Sequence, residues 1–190
     1  MHQGERAGVA GEAALPSVVV QTVWVILFAL ATAAAARLEI PHVPVPYTLQ
    51  TLVVILSGAF LGTRNGFLSQ CAYVALGAAG APVFAGGAAG ALVLAGPTGG
   101  YLLAFPLAAA VVGALTGGRH SLMRVALAMA AGLVVIFALG AVQLALVTTH
   151  RFTTALGAGV LIFSWWDALK LGAASMIYFE AGKRWRRLPR

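Results

Sequence analysis

Apolar positions in this chain neither alternate nor line one face of a helix; they come in long, nearly unbroken runs. The runs cover residues 18–36, 48–61, 66–79, 100–116, 122–147 and 164–182. A helix needs about 20 apolar residues to cross a bilayer, and a helix apolar on all sides is one buried in lipid or protein. The pattern predicts an all-α membrane protein of six transmembrane helices in one bundle over residues 18–184, with a flexible tail at 1–17 and a basic tail at 185–190. The runs at 48–61 and 66–79 are short for a crossing. They must tilt, or be completed by irregular backbone that the protein itself buries. Gly58 and Gly62 have the GxxxG spacing of close helix contact, and Thr63-Arg64-Asn65 reads as the turn after them.

The breaks between runs are as informative as the runs. Residues 37–47 hold Pro41, Pro44 and Pro46, which forbid a helix and favour a stiff extended segment suited to a lid or cavity wall. Residues 80–99 carry six glycines, two prolines and no charge. A solvated linker would be polar, and a spanning helix would not hold so many glycines. This segment is expected to fold back into the protein at membrane depth, where glycine lets backbone approach a ligand. Pro106 is a bend point in the fourth helix. In the first helix Ala29/Ala33 and Ala31/Ala35 lie four apart, a flat face for close packing. That face serves either the bundle itself or a separate membrane subunit.

Composition supports the membrane reading: 61% of residues are hydrophobic and only 9% charged, with mean hydropathy +0.93. Soluble domains carry roughly 25% charged residues. The net charge of +7 lacks the basic stripe interleaved with aromatics that nucleic acid requires, and the cations sit at the ends of runs. Arg6, Arg64, Arg119, Arg124, Lys183, Arg184, Arg186, Arg187 and Arg190 fall on one side of a six-span topology and Arg37 and Arg151 on the other, nine against two. The positive-inside rule makes both termini cytoplasmic. The proline loop, the glycine loop and the start of the sixth helix then face outward. The single cysteine, Cys71, forms no intrachain disulfide. No metalloprotease, nucleophile-elbow or Walker motif is present, and the histidines are scattered over tails and loop edges, so no enzyme activity, cofactor or metal is expected.

Candidate chemistry concentrates at the start of the sixth run. Asp167 is the one acidic residue set inside a long apolar tract, and Lys170 follows three residues later, on the same helix face. A charge in hydrocarbon costs at least about 2.5–3.5 kcal/mol, so such residues usually face a cavity. Thr48, Gln50, Thr51, Tyr73, Phe84, Gly86, Thr98 and Tyr101 belong to the same outer end. Together they offer apolar walls, hydroxyl and amide groups, one acceptor-only carboxylate and one cation, suited to a small ligand with an apolar body and N–H groups. The plainer alternative is an Asp167–Lys170 ion pair that only stabilises its own helix. His42, alone in a loop, reads as exposed.

Four motifs in order, Val43-Pro44-Val45-Pro46-Tyr47-Thr48-Leu49-Gln50-Thr51, Gly80-Ala81-Pro82-Val83-Phe84-Ala85-Gly86-Gly87, Gly96-Pro97-Thr98-Gly99-Gly100-Tyr101 and Asp167-Ala168-Leu169-Lys170, resemble the BioY family, over about residues 18–184. These are the biotin-specific substrate-binding (S) components of energy-coupling factor (ECF) transporters. The resemblance implies an S-component-like bundle in the inner membrane of a bacterium that captures biotin from outside. It implies partners too, a transmembrane T component and two ABC ATPases, with Ala29, Ala31, Ala33 and Ala35 contacting the T component. It also implies that Asp167 and Lys170 touch biotin. The chain departs from the family at Ser164-Trp165-Trp166, where prolines and a glycine usually precede the aspartate, and its glycine loop carries no cation. Readings that remain open are an S component for another vitamin and a non-catalytic structural membrane subunit.

Overall fold

A computed structural model describes residues 17–42, 45–117, 121–149 and 165–185. Helix α1 (Ser17–Ala36) leads into a two-residue strand, β1 (Glu39–Ile40), which pairs antiparallel with β2 (Tyr47–Thr48) in the register Glu39↔Thr48 and Ile40↔Tyr47. The residues on either side of the prolines thus pair as a small antiparallel hairpin. Then follow α2 (Gln50–Ala78), a 3-10 turn at Ala85–Gly87, the four-residue α3 (Leu92–Ala95) and α4 (Gly99–Leu115). Helix α5 (Leu122–Leu144) is prolonged by a π turn over Ala145–Thr149, and α6 (Trp165–Trp185) ends the described chain. Helix α4 continues across Pro106.

Helix α2 is two helical arms joined across a kink, not one rod. Gly62 has φ 77° and ψ −178°, a conformation essentially reserved for glycine, and there the helix doubles back. The two arms, 50–61 and 63–78, lie side by side: Ser57 meets Gln70, and a Cβ on Gly66 would lie 2.8 Å from the Gly58 Cα. Six long helical rods thus result among the described residues, as the apolar runs predict. The turn expected at Thr63-Arg64-Asn65 falls instead at Gly62, because only glycine adopts the required backbone; those three residues begin the second arm. Thr48, expected to open the second helix, belongs to β2.

At about 1.5 Å per residue the arms span roughly 18 and 24 Å, short of a hydrocarbon core of about 30 Å. The β hairpin and the segment between α2 and α4 complete that end of the bundle. By contrast, Ser17–Ala36 and Leu122–Thr148 are each long and apolar enough to cross a membrane. This is a multi-pass membrane protein.

Small residues set the packing. Gly58 lies against the backbone of Ala109, Gly113 against that of Thr63, and Gly132 against the Val112 side chain, so that α2, α4 and α5 approach closely. Between α1 and both arms of α2 lies a buried polar knot. Gln70 Nε2, with two protons, lies within hydrogen-bond distance of Thr32 Oγ1 (3.2 Å), Ser57 Oγ (3.1 Å) and Ser69 Oγ (3.3 Å). At one end of the bundle Asn65 Nδ2 donates to Gln21 Oε1 (3.2 Å) and the Trp185 indole N–H to Phe60 O (2.9 Å), a carbonyl that the break at Gly62 takes out of the regular helical ladder. The start of α1, the Gly62 bend and the end of α6 share this end. The β hairpin, the glycine-rich segment and the cavity occupy the other.

Candidate ligand-binding site

The first turn of α6 carries Asp167, with Lys170 one turn on, and both are nearly sealed, at 1% and 5% exposure. Lys170 Nζ lies 2.5 Å from Asp167 Oδ1 and donates to Thr51 Oγ1 (2.8 Å) and to the Thr48 carbonyl (3.1 Å). An ammonium has three protons, and three protein acceptors surround this one. The pair therefore does more than brace its own helix: it fastens α6 to the β2–α2 junction, and within the site its net charge is zero.

From that junction a chain of hydrogen bonds runs along the cavity wall. Thr48 Oγ1 donates to Gln50 Oε1 (2.9 Å) and accepts from the Gln50 backbone N–H (3.3 Å). The Gln50 amide donates to Tyr73 Oη, which donates in turn to Val83 O (3.2 Å). Each polar side chain in this series is held by its neighbour before any ligand arrives.

These groups border a cavity of about 250 Å³, just below the usual ~300–1,000 Å³ of small-molecule sites, which suits a compact organic ligand rather than a large cofactor. Its apolar walls come from Phe84 and Val93 in the glycine-rich segment, Leu102 and Phe105 on α4, and Ile136 and Phe137 on α5. Of the residues the sequence singles out, Thr48, Gln50, Thr51, Phe84, Thr98, Tyr101, Asp167 and Lys170 all line this cavity. Two do not. Tyr73 is fully buried behind the wall, edge-on to Phe84 and stacked on Phe105, supporting Gln50. Gly86 turns outward, its N–H donating to Glu39 Oε2 (2.8 Å). Tyr101 is different again: its buried hydroxyl has no hydrogen-bond partner among the described residues.

Phe84 is placed by a glycine, since a Cβ on Gly77 would collide with its ring. The alanine face of α1 divides: Ala29 and Ala35 are buried and Ala33 packs on the core, whereas Ala31 is exposed. His42 is exposed, its Nδ1 3.3 Å from Val45 O. Ser164, His120 and His150 lie outside the described residues.

Three residues to which the sequence reading gives no part in the site hold the glycine-rich segment. Arg37 donates to Pro82 O, Glu39 accepts from Gly86, and Gln143 Nε2 donates to Leu94 O (2.7 Å) and Gly96 O (2.9 Å). Gln143 had a legible signal, being a lone amide in an otherwise apolar run; a polar side chain there usually bonds across helices. Arg37 and Glu39 had none, since their partners are backbone groups 45 and 47 positions away.

Six helices around one small, net-neutral cavity at the loop end define a membrane-embedded ligand-binding protein. The BioY family profile matches residues 9–188, and the chain belongs to that family. It is 42% identical over 157 residues to "Biotin transporter BioY" of Thermotoga maritima, covering 83% of this chain and 92% of that one. It is 41% identical over 153 residues to "Probable biotin transporter BioY" of Pyrococcus horikoshii, covering 80% and 90%. A solved structure described as the S-component for biotin from an ECF-type ABC transporter superposes with a TM-score of 0.79 over 90% of this chain and 93% of that one, at 24% identity, a likeness of fold.

Proposed function

We propose that this chain binds biotin from the outer side of a bacterial inner membrane and serves its uptake as the substrate-specific component of an ECF-type ABC transporter. The observation that carries the reading is the buried Asp167–Lys170 pair in a cavity of ligand size, on a chain of this family. Biotin has an apolar ring and chain, a ureido group with two N–H donors and a carboxylate. Asp167 is the acceptor for a ureido N–H, and Lys170 holds the Asp167 carboxylate in place. Thr48, Gln50, Thr98 and Tyr101 supply neutral hydrogen bonds, with Phe84 against the apolar body. Tyr73 and Gly86 act one step back, through Gln50 and Glu39. In this reading both termini are cytoplasmic, by the nine-to-two bias of cations. The T component, with its two ATPases, docks on the outer face of α1 around Ala31; Ala29, Ala33 and Ala35 set how closely α1 sits on its own bundle.

Isothermal titration of the detergent-purified chain with biotin tests the site. Binding is expected in the wild type and a loss of at least about 30-fold in Asp167→Asn and Lys170→Ala, because each leaves the other charge buried and uncompensated. No heat with biotin in the wild type, or tight binding retained by both variants, would sink the assignment. Competition by thiamine or riboflavin would move it to another vitamin.

A further inference from the structure

We propose that Gln143 is a positioning residue for the ligand: by gripping the end of the glycine-rich segment it fixes the depth at which Thr98 and Tyr101 enter the cavity. The inference rests on that cavity being the biotin site. The segment's own bonds are local, since α3 is a single turn followed by two turn bonds, Gly96 N–H to Val93 O (3.1 Å) and Gly99 N–H to Gly96 O (3.1 Å). One side chain ties the segment to α5, Gln143 Nε2 donating to both Leu94 O (2.7 Å) and Gly96 O (2.9 Å). Gln143 stands seven residues, two helical turns, from Ile136 and on the same face of α5, so the residue that grips the roof belongs to the helix that forms the wall. Glycines bring the roof within reach: a Cβ on Gly99 would lie 2.5 Å from Gln143 Nε2, and one on Gly100 2.7 Å from the Gln143 Cβ. Gly140, one turn earlier, admits the ring of Tyr101 against α5.

The rest of the segment is held from the other side, where Arg37 meets Pro82 O and Glu39 meets the Gly86 N–H. Those contacts are exposed, and water competes with them. They also precede Val93, so Thr98 depends on the half-buried Gln143. Glutamine suits the position because both partners are acceptors. A glutamate would face two carbonyls with no donor, and a methionine of the same length would fill the space without bonding.

The test measures biotin affinity and dissociation of the full chain in detergent, for wild type, Gln143→Met, Gln143→Glu, Thr98→Val and the Gln143→Met/Thr98→Val double variant. Gln143→Met is expected to weaken binding roughly 10-fold, mainly through faster release, with ligand-free melting little changed. Gln143→Glu is expected to lose more, and to recover in part as pH falls and the acid regains a proton to donate. The double variant should be little worse than the poorer single one, since both act on the same contact. Hydrogen exchange on the wild type adds a readout that needs no variant: biotin should slow exchange across 92–98. Wild-type binding with an unaltered Gln143→Met affinity, fully additive losses, or unchanged exchange at 92–98 would each overturn the inference alone. Absence of wild-type binding would instead overturn the functional reading, and this inference with it.

Discussion

Two tyrosines close to one cavity illustrate how differently a buried hydroxyl can be used. Tyr73 Oη is committed to Gln50 and Val83, whereas Tyr101 Oη has no partner among the described residues. Tyr73→Phe should therefore strand the Gln50 amide and destabilise the ligand-free protein by about 1–3 kcal/mol. Tyr101→Phe removes a hydroxyl that the protein does not satisfy, so ligand-free melting should hold or rise while biotin affinity falls several-fold. Melting curves with and without biotin separate the two; equal effects of both substitutions on ligand-free stability would refute the distinction. At this scale much of the cavity lining was legible in the sequence. A charge pair inside an apolar run is legible because charge in hydrocarbon is expensive, and Thr48, Gln50, Thr51, Phe84, Thr98 and Tyr101 stood in motifs beside it. It did not reveal which polar groups face the cavity and which stand behind it, because that depends on side-chain direction across helices. Hence Tyr73 and Gly86, equal to the others as letters, serve as supports.

The elements depend on a few glycines. Gly62 has room for a side chain but the wrong backbone for one, so Gly62→Ala should cost about 1–3 kcal/mol through strain alone and loosen the hairpin of α2. Gly172, on the exposed face of α6 with nothing within 4 Å, is the contrasting case: Gly172→Ala should be neutral or stabilise by up to about 1 kcal/mol. Thermal unfolding in detergent checks both, and a Gly62→Ala protein as stable as wild type would show that the bend needs no glycine. Six helices were readable because each is a separate apolar run bounded by turn residues, even where two of them are too short to span the bilayer alone. The exact bend was not, because GxxxG spacing signals close contact without saying which glycine is the corner. The prolines told against a helix between α1 and α2, but the strand pairing and its register of Glu39 with Thr48 come from tertiary contacts.

For the molecule as a whole, polarity is set by the opposition of its two ends, with the β hairpin, glycine-rich segment and cavity at one and the Gly62 bend and both outermost helix ends at the other. In a Cys71→Ser background, a membrane-impermeant maleimide applied to intact cells should label Pro41→Cys, at the cavity end, and spare Thr63→Cys, beside the bend. The reverse pattern would invert the topology drawn from the cations. Lys170 binds residues 122 and 119 positions earlier in the chain, at Thr48 O and Thr51 Oγ1. During synthesis the walls from the first five helical rods can assemble while their charged keystone is still unmade, so recognition is the last property the nascent protein acquires. A ligand that fits only the finished cavity then favours complete chains over truncated ones by mass action, and so acts on the quality of the assembled population as well as being its cargo.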